Sequence, residues 1–309
     1  MITFFTTYKS FEGQLALTQT NAIKSWYRLG KNVEIILFDE NAQAEKIAKR
    51  FGLRYIPNIK KNEKGTPYLS EMFAETMKLA INDLVCYINC DIILPQDFLE
   101  KVAIVNRNLK HKYLLVGRRY NMDVDSEIPF TNTNEMNAFF AAARKQAMHY
   151  DVSAIDYFLF PRYFYNHIPP FLAGRAGFDN WLVWYGRRHG TVVDGSDSLF
   201  VIHQNHDYMH LYKKKQGSTK KFKNQNVCNK LGLEGEDKIY NKQFLGKKGN
   251  RAMNILDATW KLQGNVLVKK NSPEERMRYV NRLHLVYPEI AWLIIMYKKF
   301  KSVLKRFSF

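Results

Sequence analysis

Residues 84–94 read Leu-Val-Cys-Tyr-Ile-Asn-Cys-Asp-Ile-Ile-Leu, an apolar run that is interrupted by one amide and one acid. A short apolar run of this kind predicts a buried strand. Side chains two positions apart on an extended chain point to the same face, so Asn89 and Asp91 share a face and Cys90 points to the other. Because a buried carboxylate needs a partner, this face is a candidate site for a metal ion.

Strands and helices are predicted to alternate on both sides of this run. Further strands are predicted at Ile2–Thr7, Val33–Phe38 and 113–117. Between them, apolar residues recur at helical spacing, as in the segment 44–51, which is followed by Gly52 as a helix-ending residue. This alternation predicts an α/β fold with a doubly wound, largely parallel sheet and flanking helices.

Charge is distributed unevenly along the 309 residues, whose formal net charge is +18. Residues 1–206 carry 24 Lys/Arg against 21 Asp/Glu, whereas residues 207–309 carry 23 against 8. We therefore expect a main domain at 1–212 and a basic, largely helical C-terminal extension at 213–309. A basic surplus of this kind favours an anionic partner, either membrane lipid or nucleic acid, although a solvated basic face is the simpler alternative.

The C-terminal extension contains two features of its own. Residues 213–248 are rich in Lys, Asn, Gln and Gly, which predicts little regular structure. Residues 288–309 set apolar positions against a row of Lys and Arg, a pattern typical of a helix that lies in a membrane interface. From this pattern we expect peripheral contact with an anionic membrane.

The cysteines and the N-terminus bear on location. Cys86, Cys90 and Cys228 form no paired framework and no Cys-x-x-Cys motif, which favours interior thiols in a reducing compartment. The chain begins with a predicted strand and not with a signal-peptide pattern. These features predict a cytoplasmic protein, placed at the inner face of the membrane by its basic helix.

A parallel sheet whose middle strand ends in Asn-Cys-Asp at 89–91, after a helix entered through Gly-Thr-Pro at 65–67, resembles the nucleotide-sugar-binding half of the GT-A glycosyltransferases. The resemblance covers about residues 1–206 and implies a GT-A-like mixed sheet in a hexosyltransferase-like enzyme. That family places Asp-x-Asp at this strand end to hold a divalent cation against the donor diphosphate. Here Asn89 departs from the pattern, which implies that Asp91 is the direct metal ligand and Asn89 a ribose, water or metal contact.

The resemblance also implies where the donor nucleotide binds. Thr6, Thr7 and Tyr8 follow the first strand and Asp39 follows the second, where the family lines its base and ribose pocket. Asp39 would accept hydrogen bonds from a uracil N–H or a ribose hydroxyl, or would alternatively begin the following helix. The implied donor is a nucleotide-diphospho-sugar, UDP-linked in our expectation.

A second acid stands in the segment 173–181, Ala-Gly-Arg-Ala-Gly-Phe-Asp-Asn-Trp. Asp179 lies at the start of a predicted helix, where the resembled enzymes carry the general base that deprotonates the acceptor hydroxyl. Its structural alternative is a helix N-cap, and both roles are compatible. Trp181 and Trp184 are candidates for stacking on a sugar ring or for core packing.

Two histidines follow a predicted strand at 198–202, in the order His203-Gln-Asn-His206. A late histidine is an additional metal ligand in several GT-A enzymes, which implies that role for His203. His206 is assigned a phosphate contact or a supporting role, because both imidazoles reach one ion only if the strand has ended. Carboxylate oxygen with imidazole favours Mn²⁺ or Mg²⁺ over structural Zn²⁺.

The resemblance thus implies a metal-dependent glycosyltransferase that moves sugar from a nucleotide-diphosphate donor to a hydroxyl of a glycan or lipid-linked acceptor, and together with the basic C-terminal region it suggests surface polysaccharide assembly. A nucleotidyltransferase is one alternative, weakened because the loop after the first strand holds only one Gly and one Lys. A basic nucleic-acid-binding protein is another alternative, which is weakened because the basic segment of this chain lacks a nucleic-acid recognition motif. Candidate diphosphate contacts are Arg118, Arg119, Arg162 and Arg175, which the sequence does not rank.

Overall fold

The computed structural model describes residues 2–38, 40–206, 240–245, 253–287, 289, 292, 293 and 296. The strands are β1 (Ile2–Thr7), β2 (Val33–Phe38), β3 (Arg54–Ile56), β4 (Leu84–Ile88), β5 (Ile92–Ile93), β6 (Tyr113–Arg118), β7 (Tyr120–Met122), β8 (Met148–His149), β9 (Ile155–Pro161), β10 (Thr191–Asp194), β11 (Ile202–Gln204), β12 (Trp260–Gln263) and β13 (Val266–Lys269). The helices are α1 (Gly13–Tyr27), α2 (Ala42–Phe51), α3 (Leu69–Leu79), α4 (Phe98–Leu109), α5 (Thr133–Gln146), α6 (Phe178–His189) and α7 (Pro273–Val286).

Nine strands form the main sheet in the order β13-β12-β10-β6-β9-β4-β1-β2-β3. Strands β3, β2, β1 and β4 are mutually parallel, as are β6, β10 and β12, whereas β9 runs antiparallel between β4 and β6. The predicted α/β class with a doubly wound mixed sheet is therefore confirmed. Because β1 and β4 are parallel neighbours, their carboxyl ends meet at one edge of the sheet.

Both faces of the sheet are buried. Along β1, Phe4 packs into one apolar cluster and Phe5 into the other, and Cys86 and Tyr87 alternate in the same way along β4. This alternation follows from the two-residue period of a strand, and it leaves near-continuous apolar runs where helices cover both sides. Cys86 and Cys90 are buried free thiols, as predicted.

Helix α2 shows how local sequence sets the helix ends. The Asn41 side chain accepts hydrogen bonds from the backbone N–H groups of Gln43 and Ala44, which caps the first turn. Gly52 ends the helix with a left-handed φ of 64°, as the sequence predicted. Ala44 and Ala48 form its buried stripe.

A second, four-stranded sheet runs in the order β5-β11-β7-β8. Two sequence predictions are corrected here. The predicted strand 84–94 is split into β4 and β5 by a turn in which Ile92 N–H donates to Asn89 O at 3.2 Å. The strand predicted at 198–202 forms at Ile202–Gln204 instead, because Ser198 and Leu199 both donate their N–H groups to Gly195 O in a turn.

The C-terminal region contributes to the main sheet. Strand β12 pairs in parallel with β10, and β13 closes a hairpin on it, which the sequence analysis did not predict. Helix α7 begins at Pro273, behind a capping box between Ser272 and Glu275. The proposed domain boundary at 212/213 lies within 207–239, which is outside the described residues. Most of the predicted basic helix at 288–309 is also outside the described residues.

Within the described part of the chain, no helix is long and apolar enough to cross a membrane.

Candidate active site

Three side chains from distant parts of the chain meet at the carboxyl end of β4. Asp91 Oδ2 lies 3.0 Å from His206 Nε2 and 3.6 Å from His203 Nε2. Each of the three residues offers a ligand atom, and these atoms lie within 4.8 Å of one another. Both imidazoles are almost fully buried, whereas the Asp91 side chain is 15% exposed. The structure therefore brings the predicted ligands Asp91 and His203 together and adds His206.

The small sheet is what places the histidines. His203 pairs directly with Ile92 across β11 and β5, next to Asp91. The backbone N–H and the side-chain Nε2 of Gln204 both donate to Asp91 O at 3.2 Å. Gln204 is fully buried, and its amide also donates to Thr18 O at 2.8 Å, so α1 fixes the same turn.

Strand β11 ends at Gln204, one residue beyond His203. The chain then turns, and the His206 ring returns to 5.5 Å from the His203 ring, measured between centroids. This is the geometry in which the sequence analysis expected both imidazoles to reach one ion. His206, which was assigned a supporting role, is the imidazole nearer to Asp91.

Protonation states suit a ligand role. Burial lowers the pKa of His203 to about 4, even though the Asp91 carboxylate acts in the opposite direction. Its lone pair is therefore available at neutral pH. Burial alone would raise the pKa of Asp91, but the His203 imidazole, the hydrogen bond from His206 and the Lys9 ammonium together hold it below its usual value. Asp91 is therefore a carboxylate.

The cluster leaves ligand atoms unused. Asp91 Oδ1 and His203 Nδ1 are buried and have no hydrogen-bond partner among the described residues. A buried polar atom without a partner costs about 1–3 kcal/mol, and such atoms concentrate at functional sites. Ligand atoms at about 2.1 Å from one ion and about 90–110° apart are separated by about 3.0–3.4 Å. The distances from Asp91 Oδ2 are close to this range, so the residues fit a divalent cation.

Asn89 has a different environment from Asp91. Its Nδ2 donates to Asp156 Oδ1 at 2.6 Å, and Arg119 Nη1 donates to the other oxygen, Asp156 Oδ2, also at 2.6 Å. Arg119 and Asp156 are buried, and the Arg119 guanidinium lies 5.0 Å from the Tyr150 ring centre. The Asn89 amide thus forms a hydrogen bond to a buried ion pair beside the cluster of Asp91, His203 and His206, and the structure does not place Asn89 as a metal ligand.

The pairing of β6 with β9 is irregular next to Arg119. Val116 pairs with Phe158 and Arg118 with Ile155, so β9 carries one extra residue at this point, as in a β-bulge. A β-carbon at Gly117 would overlap the Tyr157 hydroxyl, so the packing of Tyr157 against β6 requires glycine. Arg118 then binds the Tyr150 carbonyl through Nε at 2.9 Å, while the following residue, Arg119, reaches Asp156.

Replacing Asn89 by Asp is expected to lower the free energy of unfolding by about 1–3 kcal/mol. The substitution restores the Asp-x-Asp pattern, but it removes a buried donor and places two carboxylates about as close as the 2.6 Å hydrogen bond. Urea denaturation at pH 7.5 measures the effect.

The double variant Asn89→Asp/Asp156→Asn is the control for this pair. It exchanges donor and acceptor, so its loss of stability should be smaller than the sum of the two single losses. A stability of Asn89→Asp equal to wild type would show that the two side chains do not interact.

Three of the four residues predicted to bind the base and ribose, Thr6, Thr7 and Tyr8, lie at the end of β1 or directly after it. Thr6 is buried and its hydroxyl donates to Thr7 O at 2.9 Å, whereas Thr7 Oγ1 is buried with no partner among the described residues. The Tyr8 ring packs against Phe11 at 5.2 Å between centroids. Asp39 lies outside the described residues. The binding role of these four residues stays a prediction.

Asp179 is the second residue of α6, whose N-cap is Gly177 and not Asp179. Its Oδ1 accepts a hydrogen bond from Gly177 N–H at 3.1 Å. The neighbouring Phe178 ring packs edge-on against Tyr87, at 5.7 Å between centroids, which brings the helix start to β4 two residues before Asn89. Burial raises the pKa of Asp179, and Asp156 acts in the same direction. Asp179 is therefore within electrostatic reach of the ion pair beside the Asp91 cluster.

Other aromatic and arginine candidates have structural partners. Trp181 is buried in the core, and Trp184 Nε1 donates to Leu285 O at 3.0 Å, which ties α6 to α7. Arg162 Nε donates to Met77 O at 2.8 Å. Of the four arginines proposed for the diphosphate, Arg119 is paired with Asp156, the acid that also binds Asn89.

The sequence analysis missed Asp156, Gln204 and Lys9. Asp156 carries the signal that selected Asp91, a single acid within an apolar strand, and that signal would have found it. Gln204 lies between the two histidines of His203-Gln-Asn-His206, and the sequence analysis considered only the histidines. Lys9 Nζ lies 3.5 Å from His206 Nε2, and nothing in the sequence marks this contact.

The similarity of this chain to known proteins is confined to solved structures. No family model and no curated protein matches the chain. Among solved structures, residues 1–349 of S. aureus TarS are similar at 11% identity and a TM-score of 0.45, over 66% of this chain and 60% of TarS 1–349. The complex of TarS 1–349 with UDP-GlcNAc matches at 10% and 0.45, over 69% and 61%. The complex with UDP matches at 10% and 0.43, over 66% and 60%. The chain thus spans about three fifths of the structures that it matches.

Proposed function

We propose that the protein is a metal-dependent glycosyltransferase that moves a sugar from a nucleotide-diphosphate donor to a hydroxyl of an acceptor. The observation that carries this proposal is the cluster of Asp91, His203 and His206 at the carboxyl ends of parallel strands, in which one Asp91 oxygen has no partner among the described residues. Ligands of open α/β sheets bind outside the carboxyl ends of the strands. Thr7, whose hydroxyl also lacks a partner in the described part of the chain, ends the neighbouring strand β1 at the same edge.

The donor atoms favour Mn²⁺ over Mg²⁺. Mg²⁺ binds through oxygen, usually with one or two carboxylates and several waters. Two imidazoles with one carboxylate suit a transition metal better. Mn²⁺ accepts this mixed set and binds phosphate oxygens, which is what a nucleotide-sugar donor requires.

The residues of the chain have separate roles in the proposed reaction. Thr6, Thr7, Tyr8 and Asp39 bind the uracil and ribose of a UDP-linked donor. A bound cation supplies positive charge to the diphosphate as the glycosidic bond breaks. Asp179 takes the proton from the acceptor hydroxyl, which is a poor nucleophile while protonated. The raised pKa of Asp179 makes it a stronger base than an ordinary carboxylate.

The acceptor is a glycan or lipid-linked sugar in surface polysaccharide assembly, met at the cytoplasmic face of a membrane. Support comes from the charge of residues 207–309, which hold 23 Lys/Arg against 8 Asp/Glu. An anionic membrane surface attracts basic segments by about 1 kcal/mol per residue near the surface.

Thermal unfolding with ligands tests the proposal. UDP with Mn²⁺, at about 100 times their dissociation constants, is expected to raise the melting temperature by about 5 °C, and Mg²⁺ by less. The same measurement with Zn²⁺ and with Fe²⁺ compares the stabilisation by these two ions with that by Mn²⁺. Incubation with UDP-sugars should then release UDP, whereas release of pyrophosphate from UTP and a sugar phosphate would identify a nucleotidyltransferase. No shift with any nucleotide and metal would contradict the proposal.

A further inference from the structure

Lys9 lies beside the cluster of Asp91, His203 and His206, and its backbone is held in place by hydrogen bonds. It follows β1 by two residues, and its backbone N–H donates to Gln19 Oε1 at 2.6 Å. The Gln19 amide donates in turn to Lys9 O at 3.2 Å and to Ser10 O at 3.4 Å. Gln19 is 3% exposed, so a buried side chain of α1 holds the Lys9 backbone in place. This degree of fixation is unusual for a loop lysine, since loops are normally mobile.

The Lys9 ammonium is not satisfied by the cluster. Its Nζ lies 3.5 Å from His206 Nε2, the same atom that lies 3.0 Å from Asp91 Oδ2. An imidazole nitrogen that donates to a carboxylate or binds a metal has no lone pair left to accept a lysine proton. Among the described residues, no carboxylate forms an ion pair with Lys9.

Arg119 and Lys9 differ in how their charges are held. Arg119 neutralises Asp156 through their 2.6 Å ion pair. The Lys9 ammonium lies beside His206, and its charge can therefore act on an anionic ligand bound at the cluster.

We propose that Lys9 is a second cationic contact for the donor diphosphate, and that it binds a phosphate oxygen next to the cation held by Asp91, His203 and His206. This inference rests on the proposed function. Lys9 acts on the leaving group, because the charge that develops on the diphosphate as the glycosidic bond breaks is the charge that the ammonium attracts. A lysine contributes here as a point charge on a flexible stem.

Lys9 then has opposite effects on the two ligands that a calorimeter can separate. It repels the cation and attracts the diphosphate. In Lys9→Met, titration with MnCl₂ alone should show an affinity equal to or higher than that of wild type. Titration with UDP at saturating MnCl₂ should show an affinity about 10- to 100-fold lower, the loss of one charge-assisted hydrogen bond. Uridine, which has no phosphate, should bind both proteins equally.

Two further variants complete the experiment. Lys9→Arg keeps the charge and should recover part of the UDP affinity. Lys49→Met, at an exposed lysine that pairs with Glu45, should behave as wild type. Weaker binding of Mn²⁺, or equal losses for UDP and uridine, would show a structural role and overturn the assignment. Unchanged UDP affinity in Lys9→Met would overturn only the role assigned to Lys9. Wild-type protein that binds neither Mn²⁺ nor UDP would overturn both that role and the proposed function.

Discussion

Replacing Asp91 by Asn is expected to lower the rate of sugar transfer by about 10²- to 10³-fold. Asp91 is the one carboxylate of the three-residue cluster, and His203 and His206 alone offer a cation no negative charge. Asn has nearly the same shape, so the turn fixed by Gln204 on the Asp91 carbonyl should be preserved. The loss therefore reports on charge and not on folding.

Two measurements separate these causes. Calorimetry should show Mn²⁺ affinity reduced by about 100-fold or more, the cost of losing a charged ligand. Circular dichroism should show an unchanged spectrum. Asp97→Asn, which alters a partly exposed acid at the start of α4, is the matched control and should retain full activity. A wild-type rate of sugar transfer in Asp91→Asn would show that the reaction does not depend on a cation bound to Asp91.

Replacing Asp179 by Asn is expected to reduce transfer by about 10²- to 10⁴-fold, the usual contribution of a general base. Asn retains the oxygen that accepts the Gly177 N–H, so the start of α6 should be unchanged. Unlike Asp91→Asn, this variant should bind Mn²⁺ and UDP with wild-type affinity. The contrast between the two variants separates proton transfer from donor binding.

The pH dependence gives a second readout for Asp179. Burial raises its pKa, so the carboxylate that accepts the proton forms only at a higher pH than for an ordinary acid. Activity should therefore rise with pH through this raised pKa, and the acidic limb of the kcat/KM profile should vanish in Asp179→Asn. An unchanged acidic limb in the variant would assign the base to another residue.

Local sequence was sufficient to predict the main elements of the fold. The bounds of β1 and β2 agree with prediction because their apolar runs are bordered by polar turns, and the end of α2 at Gly52 follows from its left-handed backbone. The hairpin β12–β13 was missed because its residues, Trp-Lys-Leu-Gln and Val-Leu-Val-Lys, form short, half-polar runs at a sheet edge.

The site was only partly predictable, because its geometry depends on contacts between residues that are far apart in sequence. Asp91 and His206 are separated by 115 positions, and their meeting depends on a two-residue strand, β5, that no periodicity reveals. The sequence correctly indicated Asp91 and His203 as neighbours of one site, but not that Asn89 would bind Asp156. That contact depends on the antiparallel register of β4 and β9, in which Ile88 faces Tyr157.

An anomalous diffraction map of crystals soaked with Mn²⁺ and UDP tests the central claim most directly. The account predicts one manganese peak bonded to Asp91 Oδ and to a nitrogen of His203 and His206, with diphosphate oxygens completing its coordination. Bound UDP without manganese at Asp91, or manganese held by other residues, would contradict it.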